Sequence, residues 1–268
     1  MLVLSLIFGA VVGFSLGLTG GGGAIFAVPL LVYGLSVGPR EAVGVSLAAV
    51  GMTAFVGTLE RLRAKQVEVR TGLIFAFAGM LGAPFGSWLA GRISETLLLV
   101  LFAVLMLIVA GRMWLKSSTN EKSKCNTENG KPPTCPRDSM GQLVFTSRCA
   151  MLLVLVGLAA GVLSGLFGVG GGFVIVPALV LFSGMSIHRA VATSLLVITL
   201  VSISGVSAHL VAGRTISPDT TMLFVGGGVA GMFLGNLLGR RISGPALQRA
   251  FSVAIVAVAV FVISQTLL

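Results

Sequence analysis

The stretch 17–29, GLTGGGGAIFAVP, sets four consecutive glycines inside an otherwise apolar run, and the stretch 165–177, GLFGVGGGFVIVP, repeats it 148 residues later with seven of thirteen positions identical. The same offset lays REAVGVSLAAV from Arg40 over HRAVATSLLVI from His188, pairing Ser46 with Ser194. After one inserted residue, GMLGAPFGSWLAGRIS from Gly79 lies over GVAGMFLGNLLGRRIS from Gly228. The chain is therefore a duplication, with units over 1–115 and 149–268 joined by a linker over 116–148.

The composition says where such a chain lives. Of 268 residues 56% are hydrophobic and 10% charged, and the mean hydropathy is +1.05. That is the profile of a multi-pass membrane protein. Its 37 glycines have no collagen period and fit close helix packing in lipid. The net charge of +10 comes from short connectors, with no basic face interleaved with aromatics, so nucleic acid is not expected as a partner. Three cysteines, Cys125, Cys135 and Cys149, are too few for a disulfide framework.

Each unit parses into five apolar segments: 1–18, 24–37, 42–59, 71–90 and 96–114, then 149–167, 172–185, 190–211, 217–239 and 246–267. The second of each unit starts at a glycine run, carries a proline and is too short to span ~30 Å of hydrocarbon comfortably. The predicted fold is all-α and integral to the membrane. Two inverted-topology repeats are expected, each a broken-helix hairpin followed by three transmembrane helices.

Charge sets the orientation. Connector 60–70 has four basic residues and connector 111–148 has seven; with an inverted second unit, 14 of the 18 basic residues share one side, against 12 for parallel units. By the positive-inside rule that side is the cytoplasm, which puts both termini outside it and the linker, with reduced cysteines, within it.

Irregular backbone survives in a bilayer only where protein buries it or it lines a wet cavity. A helix starting at such a break offers unpaired N–H groups and the positive end of its dipole, so two facing starts suit an anion. The candidate substrate-binding residues are Thr19, Gly20, Gly21, Gly22, Gly23, Ser46, Phe167, Gly168, Gly170, Gly171, Gly172, Thr193 and Ser194. His209, Arg40 and Arg189 are candidates for gating or coupling. The plainer readings are hydroxyls bonded to their own helix, a histidine at the membrane interface and arginines anchoring helix ends. Gly82/Gly86 and Gly231/Gly235, spaced i, i+4 within uninterrupted spans, read as packing seams.

Neither glycine run is followed by Lys-Ser/Thr, which excludes a P-loop. All eight acidic residues lie at segment ends or in connectors, so coupling through a mid-membrane carboxylate is not supported. No metal cluster or nucleophile–base pair is apparent; an enzyme, a cofactor and a metal are not expected.

With GLTGGGGAIFAVP and GLFGVGGGFVIVP, each followed by AVGVS or AVATS, and with HLVAGRTISPD at His209–Asp219, the chain resembles the sulfite exporter TauE/SafE family across both units. The resemblance implies an inner-membrane permease that moves sulfite or small organosulfonates, usually outward. The partners expected are a small anion and the lipid bilayer, and homo-oligomerisation is compatible with the pattern. The reading from a different class is a membrane structural or assembly protein whose glycine breaks only pack helices.

Overall fold

A computed structural model describes residues 2–21, 23–122, 147–168, 172–182, 185–213 and 215–239, with scattered positions between 253 and 264. Among the described residues the regular structure is helical throughout: α1 (Leu2–Thr19), α2 (Ala24–Pro29) continued by a π turn at Leu30–Gly34, α3 (Pro39–Arg63), α4 (Val69–Ala90), α5 (Glu95–Lys122), α6 (Ser147–Phe167), α7 (Gly172–Phe182), α8 (Ile187–Val211) and α9 (Pro218–Gly239). Six of them, α1, α3, α4, α6, α8 and α9, are long and apolar enough to cross a membrane. The protein is a multi-pass helical membrane protein. Most of the expected segment 246–267 and most of the linker lie outside the described residues.

Several boundaries differ from expectation. Helix α5 runs to Lys122, past the predicted end at 114, and α3 runs to Arg63 rather than 59. Polar residues there continue the helix because Glu, Arg and Lys are good helix formers. Sequence polarity marked a connector over 60–70, but the non-helical stretch covers only 64–68. The π turn follows Pro29, which lacks an N–H and crowds the carbonyl one turn back, so the next turn widens.

Glycines hold the helices together by letting backbones touch. A Cβ on Gly9, Gly13 or Gly17 of α1 would collide with α9 at Phe224, Gly228 or Met232, and a Cβ on Gly157, Gly161 or Gly165 of α6 with α4 at Phe75, Gly79 or Ala83. Residue numbers rise together along both seams, so α1 runs parallel to α9 and α6 to α4. The two seams correspond position by position: 9, 13 and 17 become 157, 161 and 165 on adding 148, and 75, 79 and 83 become 224, 228 and 232 on adding 149. Gly82, Gly86, Gly231 and Gly235 lie in the same seams, against Leu158, Val162, Ala10 and Phe14.

Helices α3 and α8 form the middle of the bundle. Their close approaches are Gly44 to His209, Leu47 to Gly205, Gly51 to Ser202 and Gly57 to Leu195, an antiparallel pairing of two helices 148 residues apart. Leu47, Val50, Val197 and Ile198 on them are almost fully buried. Phe77, Leu81 and Phe85 of α4 and Phe233, Leu234 and Leu237 of α9 are exposed, as lipid-facing side chains should be. Arg92 lies 3.8 Å over the Trp88 ring at the end of α4, the pairing of an aromatic and a cation common at a membrane interface. Cys149, just beyond the linker, is fully buried and disulfide-bonded, while the linker cysteines Cys125 and Cys135, expected to be reduced, lie outside the described residues.

Candidate functional site

Helices α1 and α6 both stop at a glycine in the left-handed region, Gly20 with φ +72° and Gly168 with φ +70°. Their N–H groups close the last helical turns on Leu16 O at 2.7 Å and Ser164 O at 2.9 Å. This is the αL stop that glycine makes without a Cβ penalty. Gly20 then rests on Val191 near the start of α8, and Gly168 on Val43 near the start of α3, again a pair 148 apart. Gly21 and Gly172 touch backbone to backbone, so the two breaks meet directly. Gly23 packs on α1 at Val12 and Leu16 and leads into α2, while Gly172 begins α7.

Of the predicted hydroxyls, Ser194 joins the break. Its Oγ lies 2.5 Å from Gly20 O and 2.8 Å from Val191 O, tying α8 to the end of α1. Its counterpart Ser46 is fully buried in α3, and its Oγ has no hydrogen-bond partner among the described residues. Thr19 donates to Ser15 O at 2.7 Å within its own helix. Thr193 accepts the Glu68 N–H at 3.0 Å and so fastens the α3–α4 connector to α8. Phe167 packs away from the break, 5.3 Å from the Phe102 ring on α5. Gly22, Gly170 and Gly171 lie outside the described residues.

The candidate gating residues separate. Arg189 is half exposed and ion-paired with Glu68 Oε1 at 3.6 Å, at the start of α8. Arg40 is exposed at the start of α3. His209, expected at the interface, is fully buried near the end of α8, where a Cβ on Gly44 would come within 2.5 Å of its Nε2. Ser217 donates to Glu41 at that same end of the bundle.

The sequence reading passed over a polar cluster at the opposite end. Arg61, 8% exposed, reaches Asn236 Oδ1 at 2.7 Å and Gly17 O at 3.3 Å through Nη2. The Asn236 amide nitrogen in turn donates to Glu60 Oε1 at 2.7 Å. Beside them is a cavity of about 60 Å³ lined by Leu18, Arg61, Gln66, Ile187, His188, Val191, Asn236 and Gly239. A signal for Arg61 was present. The offset of 148 maps segment 190–211 onto 42–63, which carries the third segment past residue 59 and sets Arg61 opposite His209.

A family model described as Sulfite exporter TauE/SafE matches residues 5–262. A protein of Xylella fastidiosa named "Probable membrane transporter protein" is 36% identical, over 98% of this chain and 95% of its own. The Bacillus subtilis "Probable membrane transporter protein YunE" is 29% identical, over 90% of this chain and 88% of its own. No solved structure matches the chain.

Proposed function

Because the chain belongs to the sulfite exporter TauE/SafE family of membrane transporters, we propose that it is a permease for a small sulfur oxyanion, sulfite or a compact organosulfonate, working outward across the inner membrane. The observation that carries this reading is the meeting of the two glycine breaks at Gly21 and Gly172, with Ser194 bound to Gly20 and helix α7 starting at the contact. Bare backbone at such a break lets an anion approach N–H groups closely, and a helix start adds favourable potential. The anion passes between the breaks, and their tight contact is the closed barrier.

Inverted repeats over 1–115 and 149–268 fit this reading. The antiparallel run of α3 against its own counterpart α8, and the matched α1–α9 and α4–α6 seams, are what an inverted duplication produces. The charge count then faces the linker and the Arg61 end towards the cytoplasm.

One observation favours the second reading, a structural protein. Each described glycine of the breaks has its Cβ position filled by a neighbour, as pure packing also requires. Efflux from proteoliposomes separates the two. A permease gives saturable loss of sulfite or sulfoacetate above that of phosphate or chloride, with thermal stabilisation in detergent by the same anion. A packing protein gives the leak of protein-free liposomes and no stabilisation by any anion.

A further inference from the structure

We propose that the cavity between the ends of α1, α3, α8 and α9 is a binding site for a small oxyanion, with Arg61 as its anchoring cation. The inference rests on the anion-permease reading and adds a site apart from the glycine crossing.

The lining has one fixed positive charge, from Arg61, and no carboxylate; Gln66, His188 and Asn236 supply its other polar side chains. Glu60 is held by the Asn236 amide and is not part of the lining. Arg61 is buried and held in place, because its Nη2 donates to acceptors on α1 and α9. A guanidinium offers five donors in a planar fork that matches the geometry of an oxyanion, and its charge persists at any physiological pH. Such charge-assisted bonds strengthen where water is scarce.

Size and position narrow the ligand. About 60 Å³ is room for a few waters or one compact oxyanion. Gln66 and His188 are exposed and form the rim, so the site opens to solvent. Val191 lines the cavity and also carries Gly20, while Leu18 stands two residues before the break. A bound anion would sit at the mouth of the route through the crossing. The opposite end is built otherwise: at the positions corresponding to Arg61 and Asn236 stand His209 and Ser87.

The test is equilibrium binding of radiolabelled sulfite to the full chain in detergent, alongside sulfite flux in proteoliposomes. Arg61→Gln should weaken binding about ten-fold or more, the effect of removing a charge-assisted hydrogen bond, and Arg61→Lys should restore part of it. If Arg61→Gln fails to fold, the rim pair decides: Gln66→Glu should weaken and Gln66→Lys tighten binding several-fold, with Arg63→Gln, an exposed change outside the lining, as the neutral control. Unchanged affinity in Arg61→Gln and in both Gln66 variants, with wild-type binding and flux intact, overturns the site and leaves the permease reading standing. Absence of both binding and flux in the wild type overturns the two together.

Discussion

The two ends of the central helix pair have the same framework and opposite furnishing. On α3, Arg61 is buried against the end of α1 and against Asn236 of α9; at the corresponding position on α8, His209 is buried over Gly44 of α3. Even the turn that follows is shared, since Lys65 and Gly213, 148 apart, are both left-handed, with φ 54° and 70°. The glycine stops, the helix seams and this turn recur in both units. The polar residues at the two ends do not. Backbone contact tolerates almost no change in side-chain volume, whereas a polar position changes freely once its hydrogen bonds are reassigned. The packing of the helices is thus common to the two units, and the polar residues at their ends are not.

The largest effects should come from breaking what is shared. Leucine at Gly13 or at Gly161, its counterpart, drives a side chain into the carbonyl of Gly228 or Gly79. Each should cost more than about 3 kcal/mol, and fluorescence-detected size exclusion should show loss of the folded peak for both. Gly226→Leu, with nothing within 4 Å of its Cβ position, should keep the peak. A difference in outcome between Gly13 and Gly161 would break the equivalence of the seams.

Smaller effects should come from positions where the two units use a shared framework differently. Ser194→Ala removes the tie to Gly20 O and should lower thermal stability by about 1 kcal/mol, the net worth of one hydrogen bond. Ser46→Ala should leave stability unchanged or slightly higher, because the Ser46 hydroxyl is buried without a hydrogen-bond partner among the described residues. Equal losses in detergent melting curves would sink the distinction. Smallest is the turn: Lys65→Gly should gain about 0.5–1 kcal/mol by removing the side chain from a left-handed backbone, and Gly213→Lys should lose a similar amount.

Much of this was legible in the sequence, for identifiable reasons. The glycine runs marked the ends of α1 and α6 because a left-handed stop in lipid leaves few other residues available. The i, i+4 glycines marked the seams because close backbone approach demands them. Arg61 stayed hidden because a charge at the end of an apolar run looks like connector, and its burial depends on Asn236, 175 residues away. The burial of His209 was hidden likewise, since it follows from the absence of a side chain at Gly44, on another helix. Phe167 beside Gly168 looked like part of the break, yet helical geometry turns it to α5. Local spacing reveals backbone constraints; distant polar partners need the packed structure.

The central claim is that an oxyanion crosses this bundle by way of its glycine breaks. Its most direct measurement is radiolabelled sulfite efflux from proteoliposomes, comparing the wild type with Gly21→Ala and Gly172→Ala, each first shown by size exclusion to keep its folded peak. The account predicts saturable wild-type efflux that is lost in the folded variants, because a methyl group at either position fills the contact between the breaks. Efflux at the wild-type rate through a folded Gly21→Ala or Gly172→Ala variant would contradict it.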